Sequence, residues 1–97
     1  MKLDRPAILV VDMLNDFVTG ALTCDRAKAI VPATASLLDA ARKAGVPVIF
    51  CNDAHIPGIG RELKLWGDHA IVGTQGAEVI PELNQCDKDY VVPKRRY

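Results

Sequence analysis

The chain's 97 residues make one small domain at most, and with 49% apolar and 25% charged residues it has an ordinary globular composition. Twelve basic residues balance twelve acidic ones, so there is no basic field for nucleic acid or an anionic membrane surface. No apolar run approaches a membrane span and no signal-peptide core precedes the first strand; three cysteines at no metal-ligand spacing read as reduced thiols in a cytoplasmic protein.

In chain order, residues 7–11 form an unbroken apolar run without polar alternation, which predicts a strand buried on both faces of a parallel sheet. Asp12 falls where that strand stops, at the edge where open α/β sheets bind ligands. It is a candidate general base, or else a carboxylate that only holds loop amides. Residues 15–23 read as a loop turning at Gly20, and Asp25 as the cap of a short helical segment ending at Ile30. Pro32 suits the first turn of a main helix, with Leu37, Leu38, Ala41 and Ala44 at helical spacing and Asp39, Arg42 and Lys43 turned outward. Gly45 is its expected left-handed stop, and residues 47–51 form a second buried strand.

Residues 52–76 read as a long irregular loop rich in Gly, too long to be idle in a compact domain. Residues 77–83 suggest a helical turn or two broken by Pro81, and residues 89–92 a third strand whose Pro93 suits an edge. Strand–helix–strand–short helix–strand is the first half of a doubly wound parallel sheet, a Rossmann-like three-layer α/β/α fold with strands in the order 3-2-1.

The chemistry gathers at the strand ends. Asp53 and His55 are alternate residues on one face, and His69 follows in the same loop. One carboxylate and two imidazoles suit zinc, iron or manganese, although the same residues could cap a turn and face solvent. Lys94 sits at the same edge as a candidate cation for an anionic transition state, or as part of a solvated run with Arg95 and Arg96. Phe17 and Trp66 are large aromatics in loops nearby, fit either to wall a substrate pocket or to cover the sheet edge. No nucleophile stands out. Cys51 reads as a core thiol, Cys24 and Cys86 lack an acid–base partner, and Ser36 is mid-helix.

Val-Val-Asp-Met-Leu-Asn-Asp-Phe at 10–17, Asn-Asp-Ala-His at 52–55, Trp-Gly-Asp-His at 66–69, Gly-Ala-Glu at 76–78 and Pro-Lys-Arg-Arg-Tyr at 93–97 follow one another in order. Together they resemble the isochorismatase-like cysteine hydrolase superfamily, which includes nicotinamidases and N-carbamoylsarcosine amidase; the likeness runs from residue 7 to residue 97. It implies a catalytic Asp, Lys and Cys, the first two falling on Asp12 and Lys94. It implies that Asp53, His55 and His69 are ligands of a divalent transition metal such as zinc, and that Phe17 and Trp66 are pocket aromatics. The run at 94–97 looks more like the isochorismatase and carbamoylsarcosine amidase branches than like nicotinamidase.

The family's nucleophile follows a fourth strand, so residues 1–97 are expected to be the N-terminal half of one domain. Its expected partners are the C-terminal half, a small-molecule substrate and a second copy in a homo-oligomer. The expected reaction is hydrolysis of a C–N bond in a small amide or ureido compound. Isochorismatase-type vinyl ether hydrolysis and a non-catalytic binding module of the same fold are the alternatives. A haloacid dehalogenase-type phosphatase is excluded, because Leu14 stands where its second Asp is needed.

Overall fold

The computed structural model describes residues 2–96; Tyr97, the last residue of the Pro-Lys-Arg-Arg-Tyr motif, lies outside them. Three strands, β1 (Ile8–Val11), β2 (Val48–Asp53) and β3 (Tyr90–Lys94), form one parallel sheet in the order β1-β2-β3, as expected. Helices α1 (Asn15–Val18), α2 (Asp25–Ala29) and α3 (Val31–Lys43) connect β1 to β2. Helix α4 (Arg61–Trp66) and two 3-10 turns, Gln75–Ala77 and Pro81–Leu83, connect β2 to β3. Among the described residues no helix is long and apolar enough to cross a membrane.

The main helix behaves as its ends dictate. Pro32 occupies the first turn, where a missing N–H costs nothing, and Gly45 leaves the helix at φ 73°. The Val46 amide then reaches back to the Ala41 carbonyl at 2.8 Å, which aims the chain into β2. Leu38 and Ala41 bury against one face of the sheet, where Val10, Val48 and Phe50 meet Met13, Val18, Ile80 and Leu83. Phe50, Leu38, Val48, Ile80 and Leu83 are among the largest fully enclosed side chains, so the core is carried by a few aliphatic groups and one ring.

The opposite face is different. Register places Leu9, Ile49 and Tyr90 in one row and Val11, Cys51 and Val92 in the next. Leu9, Val11, Tyr90 and Val92 are all at least half exposed, so β1 is apolar on both faces but covered on only one among the described residues.

Several local expectations are corrected. Residues 15–18 are a helical turn rather than loop, held because the Asn15 amide bonds to the Glu78 carbonyl at 2.9 Å and Asn15 Nδ2 to the Gln75 carbonyl at 2.8 Å. Cys24, not Asp25, caps α2: its sulfur accepts from the Ala27 amide at 3.4 Å, and Asp25 is the first helical residue. Residues 61–66 form α4 within the expected loop, and Trp66 ends it. Pro81 opens a 3-10 turn instead of breaking one. The second strand runs on to Asp53 and the third to Lys94. Leu37 and Ala44 face outward.

Arg42 is the clearest reversal, because it does not point into solvent. Its guanidinium grips the carboxylate of Asp89 through Nη2 at 2.7 Å and Nε at 3.3 Å, and Nη1 donates to the Leu83 carbonyl at 3.1 Å. The Asp89 side chain is almost fully enclosed and also accepts from the Cys86 amide at 3.0 Å. Burial pushes its carboxyl pKa up, but the bonds from Arg42 and from the Cys86 amide outweigh it and hold the pKa below the usual aspartate range. The pair fastens α3 to the entry of β3. Arg42→Ala is expected to lower stability by about 1.5–3 kcal/mol in urea unfolding, since it strips a buried carboxylate of its charged donors. A depressed folded pKa means the contribution is complete above the ordinary aspartate value and is lost as pH falls through the folded value. Asp89→Asn is therefore expected to flatten the acid limb of the stability profile.

Candidate active site and metal centre

All three strands run in one direction, so their carboxyl ends meet at one edge, and each ends in or beside a charged residue. Asp12 follows β1, while Asp53 and Lys94 are the last residues of β2 and β3 and pair directly in register. The Lys94 ammonium donates to Asp12 Oδ2 at 2.8 Å and also to Asp53 Oδ1. Asp12 turns back to make this possible. Its backbone adopts φ 57°, its amide donates to the Cys51 carbonyl at 3.1 Å, and its Oδ1 accepts the Asp53 amide at 2.8 Å. A non-glycine residue in the left-handed region persists only when its surroundings over-determine it, and here the bonds to Cys51, Asp53 and Lys94 do so. Burial disfavours the Lys94 ammonium, but its bonds to Asp12 and Asp53 outweigh that penalty and raise its pKa above the ordinary lysine value. Lys94 is thus a fixed cation and not a member of a solvated basic run.

The second oxygen of Asp53 faces another group. Asp53 Oδ2 lies 3.5 Å from His55 Nε2, and Glu62 Oε2 lies 3.4 Å from the same nitrogen. Asp53, His55, Glu62 and His69 each offer one ligand atom within 4.8 Å of all the others. Both histidines are enclosed, at 2% exposure, which removes the solvated alternative. His55 Nε2 is buried without a hydrogen-bond partner, as a nitrogen meant for a cation would be. His69 Nδ1 lies 2.7 Å from the Gly67 carbonyl, an acceptor that places the proton on Nδ1 and leaves Nε2 as the basic nitrogen. Two carboxylates and two imidazoles suit a divalent transition metal, so the residues fit the group expected of them.

Glu62 is the ligand candidate that the sequence reading missed. It belongs to α4, entered through Gly60 at φ 116°, and it reaches the site only because that helix folds back over His55. Its signal was the six-residue Arg-Glu-Leu-Lys-Leu-Trp run, too short to display a helical period.

Phe17 and Trp66 both lie against His69, with ring centroids 5.7 and 6.4 Å from its imidazole, and His55 and His69 meet edge to face at 4.8 Å. A cleft of about 490 Å³ is lined by His55 and Glu62 together with Ile56, Ile59, Arg61 and Arg95. Of the cysteines, Cys24 and Cys86 are exposed, and Cys51 is half-buried in β2 on the uncovered face.

Among curated proteins none matches this sequence significantly. Solved structures do. The chain is similar to N-carbamoylsarcosine amidase from Thermoplasma acidophilum, at 37% identity and a TM-score of 0.86, over 94% of this chain and 52% of that one. It is similar to a nicotinamidase from Bacillus subtilis, at 29% identity and a TM-score of 0.81, over 95% and 56%. It is also similar to the pyrazinamidase of Pyrococcus horikoshii, solved in complex with zinc, at 25% identity and a TM-score of 0.81, over 94% and 52%. The chain therefore spans about half the length of the solved structures it matches. The isochorismatase domain family matches residues 6–97, and with its parallel sheet and charged strand edge the chain belongs to that family of hydrolases.

Proposed function

We propose that residues 1–97 are the N-terminal part of a cysteine-amidase-type hydrolase that cleaves a C–N bond in a small amide or ureido compound. The observation that carries this reading is the Lys94 ammonium held between Asp12 and Asp53 at the carboxyl edge of the sheet. Such an arrangement keeps a carboxylate base and a cation in contact, as activation of a thiol requires. The nucleophilic cysteine is supplied by the C-terminal half. Asp12 takes the thiol proton, and the thiolate attacks the substrate carbonyl carbon. As the C–N bond breaks, Asp12 returns the proton to the departing nitrogen, and water then hydrolyses the acyl thioester. Lys94 stabilises the thiolate and orients Asp12. Phe17 and Trp66, both against the His69 ring, wall the substrate pocket.

Asp53, His55, Glu62 and His69 would hold a divalent transition metal, with zinc the first candidate given the zinc complex of the pyrazinamidase relative. Bound there, the metal supplies Lewis acidity that orients the substrate or a water. Asp53 contributes to both parts of the site, one oxygen toward Lys94 and the other toward His55.

Measurements on the wild type and three variants test this. Full-length protein purified without chelator is expected to carry about one transition-metal ion per chain by elemental analysis. His69→Ala should lose far more affinity than the about 10–100-fold typical of removing an outer-shell partner; full metal content in that variant would show the wrong ligands have been chosen. Asp12→Ala should lower turnover by about 10²–10⁴-fold and suppress alkylation of the nucleophilic thiol at neutral pH in parallel. Unchanged alkylation would remove Asp12 from the role of base. Lys94→Ala should raise that thiol's apparent pKa.

Residues 1–97 by themselves are expected to associate or aggregate. The Leu9–Tyr90 and Val11–Val92 rows and the free edge of β1 then remain without cover. Adding the C-terminal half is expected to restore a cooperative fold and hydrolysis. A monomer of residues 1–97 that unfolds cooperatively would count against the two-half reading.

A further inference from the structure

Two motifs singled out in the sequence are not used by the proposed chemistry: the Asp16 end of the segment at 10–17, and Gly76 in Gly-Ala-Glu. The structure brings them to one point. Asp16 Oδ2 accepts the Ala70 amide at 2.8 Å across a separation of 54 residues, and its Oδ1 accepts the Ala21 amide at 3.2 Å. Ala70 is fully buried and stands at φ 45°, a left-handed conformation that a residue with a Cβ adopts only when held there. It directly follows His69, and its carbonyl accepts the His55 amide at 2.9 Å. Ala70 is therefore held by Asp16 through its amide and joined to the His55 backbone through its carbonyl.

The space around Asp16 is kept open by glycine. A Cβ on Gly76 would overlap the Asp16 carboxylate, and one on Gly20 would overlap Asp16 Oδ1 and come within 2.8 Å of its Cα. Neither glycine adopts a positive φ, so both are needed for room and not for conformation. Phe17, the next residue, packs its ring on His69. Two successive residues of α1 thus fix the backbone after His69 and meet its ring.

We propose that Asp16 is a positioning residue for the metal group: its carboxylate, seated between Gly20 and Gly76, pins the 69–70 turn so that His69 faces Asp53, His55 and Glu62. The proposal rests on the metal-binding role proposed for those four residues and adds to it a strut that touches no metal. Groups that orient ligands from outside typically change metal affinity by about 10–100-fold when removed.

The test is a Zn²⁺ or Co²⁺ titration of the full-length protein by calorimetry, paired with hydrogen exchange at the Ala70 amide in the metal-free state. Asp16→Ala is expected to weaken metal binding by about 10–100-fold and to expose the Ala70 amide to exchange. Asp16→Asn, whose side-chain oxygen still accepts from Ala70, should recover part of both. Gly76→Ala should mimic Asp16→Ala by displacing the carboxylate, and the double variant should be no worse than Asp16→Ala alone, since both remove one contact. Wild-type affinity in Asp16→Ala, or additive losses in the double variant, would overturn the strut. So would a lower unfolding midpoint with unchanged metal affinity, the result a merely structural role gives. A wild-type protein that binds neither metal overturns the metal reading itself, and the strut's purpose with it, which is a separate result from tight binding retained in Asp16→Ala.

Discussion

The site depends on one ammonium. Asp12 and Asp53 stand at the ends of adjacent strands, both largely withdrawn from water, and two carboxylates there repel each other while losing hydration. Lys94 answers both costs at once, because the parallel register of β2 and β3 delivers its side chain to the gap between them. Asp12 leaves β1 through a left-handed turn, and from there one of its oxygens meets Lys94 while the other accepts the Asp53 amide. The strand ends are thus tied by charge as well as by the sheet ladder.

Asp53 extends that tie into the second group. One of its oxygens is engaged by Lys94, and the other looks toward His55 across 3.5 Å. The candidate catalytic pair and the candidate metal ligands are therefore joined through a single carboxylate. The remaining ligand candidates come from the segment between β2 and β3: His55 just past the end of β2, Glu62 from α4, and His69 from the turn beyond that helix. Charge balance favours a cation among them, since two carboxylates converge on an imidazole nitrogen that lacks any hydrogen bond.

Among the described residues the sheet is covered on one face only, and there over β1 and β2. Phe50, Val48 and Val10 are sealed by α3 and the Pro81–Leu83 turn, whereas the rows through Leu9 and Val11 lie open. That asymmetry agrees with a chain that spans about half of the solved structures it matches. It also separates the roles of the two layers: the covered face holds the strands in register, and the strand ends, beyond either face, carry the polar residues.

What the sequence determined by itself was whatever depends on near neighbours. The short apolar runs at 7–11 and 47–51, Pro32 opening α3 and Gly45 closing it are local preferences, and they sufficed to place Asp12, Asp53, His55 and Lys94 on one edge of a parallel sheet. Tertiary structure decided the rest. Helices α1 and α4 are only four and six residues long, too short for periodicity to reveal, and they form because distant backbone and side chains complete them. Arg42 reads as an outward helix residue until Asp89 arrives 47 residues later, Glu62 as loop until α4 folds over His55, and Asp16 as loop until Ala70 reaches it. A burial or a charge pairing that joins remote segments leaves no periodic trace in either of them, because the free energy belongs to the contact and not to the residues that make it.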